Sequence, residues 1–113
     1  MSADYPFSPF QGASVTLSAT TTGSDVTKVN AGGNSFRCSN RSTTQWMRVF
    51  FSADPAVIGA EGGAPAITPL TKYGLSIPPS GVAIYKAQCN ANYYATAWVE
   101  SGAAANCVIE PGI

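Results

Sequence analysis

The sequence contains no histidine, and only twelve of its 113 residues are charged, six Lys or Arg and six Asp or Glu. Most proton-shuttling and hydrolytic sites use histidine, so its absence excludes the usual Ser–His–Asp and Cys–His arrangements. The carboxylates are far apart in the chain, and neither a G-x-S-x-G motif nor a phosphate-binding glycine loop is present. We therefore expect no enzymatic activity, no metal site and no cofactor.

Charge is also scarce as a bulk property. Charged residues make up 11% of the chain, against about 25% in a typical globular protein, and the net charge is zero. No basic stripe could collect phosphates, which argues against nucleic acid as a partner. No apolar run approaches the roughly 18 residues of a membrane-spanning helix. The N-terminus lacks the features of a signal peptide, so we expect synthesis in a cytosol. Because the surface is weakly charged, we expect it to be suited to self-association or docking.

The three cysteines, Cys38, Cys89 and Cys107, are odd in number and widely spaced, without a C-x-x-C pair. A thiolate metal site is a poor fit to three dispersed cysteines in a chain without histidine. We expect reduced, mostly buried thiols that pack as small hydrophobic groups. One disulfide with a single free thiol is the alternative.

Residues 1–12 are predicted to form an extended N-terminal arm, because Tyr5, Phe7 and Phe10 are interspersed with prolines. Each proline fixes its own φ and favours an extended conformation in the preceding residue. Three aromatic side chains are costly to leave in water. The arm therefore either folds back on its own sheet or lies on a partner, and we predict Tyr5, Phe7 and Phe10 as partner contacts.

Residues 13–113 show the pattern of one β domain: seven or eight short segments separated by turns rich in Gly, Asn and Pro. The strongest candidate strand is 45–51, with apolar bulk on both faces. A long loop is predicted at 52–71, with space for a short turn of helix at 56–58. The expected fold is all-β, an antiparallel β-sandwich or jelly-roll-like domain. The alternation predicts these core residues: Met47, Val49, Ile84, Ala97, Val99 and Val108.

The remaining aromatic residues divide into two groups. Trp46 and Trp98 lie within candidate strands, where packing in the core is the expected role. Tyr93 and Tyr94 follow a predicted turn and are candidate exposed partner contacts. A sugar-stacking platform built from these side chains is an alternative interpretation.

Several segments resemble small virion proteins of tailed bacteriophages. The resemblance is carried by Val26-Thr27-Lys28-Val29-Asn30, Asn34-Ser35-Phe36-Arg37-Cys38-Ser39-Asn40, Trp46-Met47-Arg48-Val49-Phe50-Phe51, Ile77-Pro78-Pro79-Ser80-Gly81 and the end Glu110-Pro111-Gly112-Ile113. It spans residues 26–113 in pattern, while the three cysteines and the longer aromatic arm depart from it. It implies a structural virion component without catalytic residues, made in the host cytoplasm.

The leading hypothesis from the sequence is a capsid decoration, or cement, protein that binds the major capsid protein. The weakly charged surface and the 52–71 loop predict a homo-oligomer, with a trimer preferred. A head–tail or tail component is one alternative, and a glycan- or receptor-binding module carried by the exposed tyrosines is another. An enzyme is disfavoured by the absences above.

Overall fold

The computed structural model describes residues 14–30, 35–66, 74–86 and 92–112. These residues form eight short strands and one turn of helix. The elements are β1 (Val15–Ala19), β2 (Thr27–Asn30), β3 (Ser35–Asn40), β4 (Met47–Ser52), α1 (Pro55–Ile58), β5 (Leu75–Ile77), β6 (Val82–Lys86), β7 (Asn92–Val99) and β8 (Ala105–Gly112).

The strands form two four-stranded sheets in which every strand pairing is antiparallel. Sheet A has the order β1-β8-β3-β6, and sheet B has the order β2-β7-β4-β5. Strands β1 and β6 are therefore the edges of sheet A, and β2 and β5 are the edges of sheet B. The prediction of an all-β fold is confirmed.

Four aromatic rings connect the two sheets. Phe36 of sheet A stacks on Phe51 of sheet B, with ring centroids 5.2 Å apart and an interplanar angle of 5°. Tyr85 of sheet A stacks on Phe51 at 4.5 Å, and Tyr93 of sheet B meets Phe36 edge-on at 5.8 Å. These rings belong to one core cluster to which both sheets contribute. Offset-stacked and edge-to-face pairs contribute beyond the area they bury, so this group is the centre of the core.

Four of the six predicted core residues are buried, and two are not. The prediction is wrong for Ile84, which is 37% exposed, and for Val108, which is half-buried. In β6 the inward positions are taken by Ala83 and Tyr85, because the ring of Tyr85 buries more apolar surface in the core than the side chain of Ile84 would. The confirmed core residues are Met47, Val49, Ala97 and Val99.

The outer face of sheet B is partly covered by the segment after β4. Asp54 caps α1 by accepting a hydrogen bond from the Ala56 backbone N–H at 2.9 Å, and Pro55 occupies the first turn. Gly59 then ends the helix at φ +117°, a conformation that L side chains rarely adopt. The segment carries Ile58 onto sheet B, where it forms a second buried cluster with Val26.

Asn40, at the end of β3, fixes the geometry of three chain segments. Its buried Nδ2 donates to the carbonyl oxygens of Gln45 at 2.7 Å, Ile77 at 3.1 Å and Pro78 at 3.1 Å. Its Oδ1 accepts from the Ser42 backbone N–H at 2.9 Å. A buried amide that satisfies several backbone groups at once is costly to replace. The turn before β4 and the chain after β5 are therefore held together at one end of the molecule.

Parts of the sequence prediction lie outside the described residues. These are the arm at 1–12, Cys89 and the last part of the 52–71 loop. The proposed domain limits accordingly stay predictions.

Replacing Phe36 with alanine removes the ring that contacts both sheets, and we expect it to lower the free energy of unfolding by about 3–5 kcal/mol. Urea denaturation followed by circular dichroism measures this loss. The matched control is Val57→Ala on the exposed face of α1, which is expected to stay within about 0.5 kcal/mol. Equal stability of the two variants would contradict the central role of Phe36.

Candidate interaction surfaces

The structure corrects the expected exposure of Tyr93. Its side chain is only 8% exposed and lies edge-on to Phe36 and Tyr85 in the core. The reason is the register of β7, in which Tyr93 pairs with the buried Val29 and its side chain belongs to the inward row. Tyr93 is therefore a core residue, and Tyr93 and Tyr94 do not form a shared exposed surface.

Tyr94 faces the other side of β7 and is half-buried. It packs against the cluster of Val26 and Ile58 that covers part of sheet B. Part of the ring is left accessible, so Tyr94 stays a candidate contact without its neighbour. The other predicted contacts, Tyr5, Phe7 and Phe10, lie outside the described residues.

The outer face of sheet A carries aliphatic side chains at one edge. Val82 is 56% exposed and Ile84 is 37% exposed, both on the edge strand β6. Half-buried Val108 lies two strands away in the same row, because Ser39 of β3 pairs with Val82 on one side and with Val108 on the other. We call Val82, Ile84 and Val108 the sheet A patch.

An ion pair lies beside the sheet A patch. Arg37 of β3 and Glu110 of β8 are cross-strand partners, and their side chains approach to 2.6 Å between Nη2 and Oε1. The Arg37 Nε also donates to Oε1 at 2.8 Å. Because both side chains are partly exposed, the pair adds little stability. Its effect is local: it cancels the two charges next to the aliphatic side chains and holds both groups against the sheet.

The edge of β6 adds backbone groups to this surface. In the described part of the chain β6 pairs with β3 alone, so every second N–H and C=O of β6 points away from the sheet. Such an edge can pair with another chain unless it is covered or carries charge. Lys86 at the end of β6 is the only charged residue of the strand, which leaves Val82–Ile84 as its apolar part.

Trp46 also differs from its predicted role. It was expected in the core, but it is 55% exposed, whereas Trp98 is buried as expected. Trp46 precedes β4 and lies in the row that faces away from Met47, and the cover provided by α1 does not extend to it. One signal for this exposure is present in the sequence, since Met47, Val49 and Phe51 already form a complete inward row.

The thiols of Cys38 and Cys107 are buried and free. The two residues lie on adjacent strands β3 and β8, with Cys38 paired to Ile109 and Cys107 paired to Asn40. Burial raises the pKa of the Cys107 thiol to about 12. Burial, with a smaller effect from Cys107, raises the pKa of Cys38 still further. Since the thiolate is the reactive form, neither residue has the character of a nucleophile.

Residues 14–30, 35–66, 74–86 and 92–112 contain no group of three or more Cys, Asp or Glu side chains placed to hold a metal ion. Within the same part of the chain, no helix is long and apolar enough to cross a membrane.

Comparison with known proteins gives little further information. No family model matches the sequence, and no curated protein matches it. One solved structure, the crystal structure of PirA, aligns over 89% of this chain and 94% of its own chain, with 14% sequence identity and a TM-score of 0.47. A likeness at this level carries no argument about activity or partners.

The buried thiols predict a specific alkaline weakening of the fold. Unfolded cysteines ionise near their ordinary pKa of 9.0, while the folded protein keeps Cys38 and Cys107 protonated to higher pH. The free energy of unfolding is therefore independent of these thiols below pH 9.0 and falls above it, by at most about 1.4 kcal/mol per pH unit for each thiol.

Urea denaturation at about pH 8 and about pH 10 measures this dependence. Tyrosines and lysines titrate in the same range, so the informative quantity is the difference between the natural protein and a Cys38→Ala/Cys107→Ala variant. The variant is expected to lose less stability between the two pH values. An identical loss in both proteins would contradict the assignment.

Proposed function

We propose that this protein is a structural virion protein that binds a phage capsid and stabilises it, as decoration or cement proteins do. The observation that carries the proposal is the sheet A patch: exposed aliphatic side chains on an edge strand, beside an ion pair whose charges cancel. When a partner covers such a surface, burial of the apolar area stabilises the complex by about 25 cal/mol per Å². A surface of this kind is better suited to docking against another protein than to binding a substrate.

The sequence supports the same proposal in two ways. Segments within residues 26–113 resemble small virion proteins of tailed phages. The low charge of 11% and the net charge of zero leave little electrostatic repulsion between closely packed copies. The mechanism would be mechanical: each copy adds contact area across the seams between capsomers and stabilises the assembled state by mass action.

The proposal includes the finer points of architecture and assembly. We interpret the two sheets, which share one core cluster, as a β-sandwich. The proposed partners are the major capsid protein and further copies of this chain, with a trimer as the preferred oligomer. Neither nucleic acid nor a membrane is a proposed partner, and no catalytic activity is proposed.

A head–tail or tail component is the second candidate, because the same patch would serve at that position. Copy number distinguishes the two. Quantitative gel analysis of purified virions is expected to show hundreds of copies per particle for a decoration protein. A count of about a dozen or fewer would favour the head–tail or tail assignment. Absence from virions would reject both.

The sheet A patch predicts the effect of a charge introduced on β6. We expect a Val82→Lys/Ile84→Lys variant to fold normally, since both side chains are exposed, but to bind capsids at least tenfold more weakly. Sedimentation of capsids with added protein measures binding, and light scattering measures self-association.

Val57→Lys is the control, because Val57 is an exposed valine like Val82 but lies on α1, on the side of sheet B. It is expected to bind as the natural protein does. Equal binding by all three proteins would show that the sheet A patch is not the docking surface. A similar loss in both variants would point to a general effect of added charge.

The N-terminal arm gives a separate prediction. The sequence predicts that its prolines favour an extended chain, which would leave little conformational entropy to be lost on docking. Burial of each aromatic ring would contribute roughly 1.5–3 kcal/mol. We expect deletion of residues 1–11 to leave the β domain folded and to weaken oligomerisation or capsid binding. Circular dichroism and sedimentation check the two parts. Outright unfolding would assign the arm to the protein's own core, and unchanged binding would make it a passive tail.

A further inference from the structure

A second surface lies at the opposite sheet, at the end of β4 that α1 leaves open. A pocket of about 210 Å³ is formed there between the turn before β4 and the turn after β7. Continuing the register of β4 and β7 by one residue places Trp46 opposite Glu100. The residues that line the pocket are Thr44, Gln45, Trp46, Glu100 and Ser101.

The pocket presents one flat aromatic surface and several polar groups. Trp46 is 55% exposed, so a large part of the residue is accessible to a ligand. Polar side chains and backbone groups of the two turns surround it. In small-ligand sites an aromatic side chain supplies apolar contact and convergent polar groups fix the orientation of the ligand. Polar groups predominate in this pocket, which suits a polar ligand with one apolar face. The volume of about 210 Å³ is enough for several water molecules, so the pocket can accept a small polar ligand.

The two turns that line the pocket are joined by hydrogen bonds of Gln45, so this polar residue is held in place before any ligand binds. Gln45 is fixed at three points: its carbonyl accepts from Asn40 at 2.7 Å, its N–H donates to Ser42 Oγ at 3.0 Å, and its Nε2 donates to the Ser101 carbonyl at 2.6 Å. Gly102 has a φ of +92°, and a Cβ there would overlap Gln45 Nε2. The absence of a side chain at Gly102 lets the two turns meet. A site that is already ordered loses less entropy on binding.

The carboxylate of Glu100 retains capacity for hydrogen bonds. Its nearest charged neighbour is Arg48, with Nε and Oε2 3.6 Å apart, which is too long for a hydrogen bond. The Glu100 side chain is 57% exposed. The guanidinium therefore balances the charge of the carboxylate without occupying its lone pairs, and these oxygens can accept from the hydroxyl groups of a ligand.

We propose that this pocket binds a neutral hexopyranose unit of a glycan. The C–H face of the sugar would stack on Trp46, and adjacent hydroxyls would donate to Glu100 and to the side-chain oxygen of Gln45. Hydrogen bonds to an ionised carboxylate are about twice as strong as those between neutral groups, which gives the site its orientation. The opposite charges of Arg48 and Glu100 favour a neutral sugar over an anionic one.

This site is independent of the sheet A patch. Trp46 and Glu100 lie on the outer side of sheet B, whereas Val82 and Ile84 lie on the outer side of sheet A. The protein could therefore bind a glycan whether or not the capsid proposal holds. Of the aromatic side chains considered from the sequence as a sugar-stacking platform, Trp46 alone lines this pocket, while Trp98 and Tyr93 are buried.

The test uses the full chain and a panel of methyl hexopyranosides, with gluco, galacto and manno configurations and both anomers. Ligand-observed NMR gives one readout for all variants. Acrylamide quenching of fluorescence gives a second, because Trp46 is exposed and Trp98 is buried. We expect at least one sugar to bind and to protect Trp46 from the quencher.

The variants assign the binding to the pocket. Trp46→Ala is expected to abolish binding, and Glu100→Gln to weaken it about tenfold, which corresponds to about 1.4 kcal/mol. Val57→Ala and Val82→Lys/Ile84→Lys are controls that keep sugar binding unchanged. Methyl sialoside is expected to bind more weakly than the neutral sugars.

Two results would overturn the proposal. One is no binding by any neutral hexopyranoside at concentrations up to about 0.1 M, together with no signal dependent on Trp46 on a glycan array. The other is sugar binding that Trp46→Ala leaves intact. Loss of capsid binding in Trp46→Ala without any sugar binding would instead assign Trp46 to a protein contact.

Discussion

The contact of Phe36 with Phe51 and Tyr85 is the interaction on which the two-sheet arrangement depends. The three rings come from β3, β4 and β6, so they join both sheets near the open edges of β5 and β6. Aliphatic side chains such as Met47, Ile77 and Ile109 fill the rest of the interior, together with the small Ala95 and Ala97 of β7. The stacked rings are the aromatic contact that runs directly from one sheet to the other within this cluster. Because their rings must face inward, the positions of Phe36 and Tyr85 also decide which residues of β3 and β6 face solvent.

The two surfaces follow from this constraint. With Tyr85 inward, Val82 and Ile84 must point outward on β6, and Arg37 must point outward on β3 where Glu110 meets it. At the other sheet, the hydrogen bonds of Asn40 fix the turn that carries Trp46. Neither surface required residues of unusual chemistry. The sheet A patch results from the inward packing of Tyr85, and the position of Trp46 results from the hydrogen bonds of Asn40 at the end of β3.

The sequence predicted the class of fold because strand alternation and turn residues are local signals. Met47, Val49, Ala97 and Val99 were correctly placed in the core, since their strands have a clear apolar row. Ile84 and Val108 were placed wrongly because both faces of their strands carry apolar residues, and the choice depends on which row packs better across the sheets. For the same reason Tyr93 is buried where exposure was expected, and Trp46 is exposed where burial was expected. The pocket beside Trp46 could not be predicted, because Gln45 and Glu100 meet only through the pairing of β4 with β7.

The cover that α1 provides on sheet B makes the molecule two-sided. Ile58 and Val26 occupy part of the outer face of that sheet, while no segment of the described chain covers the sheet A patch in the same way. If the sheet A patch is the docking surface, as we propose, a copy bound through it turns the partly covered outer face of sheet B away from its partner. The helical turn contributes only four residues to the fold, but it makes the face that a docked copy would expose different from the face that it would bury.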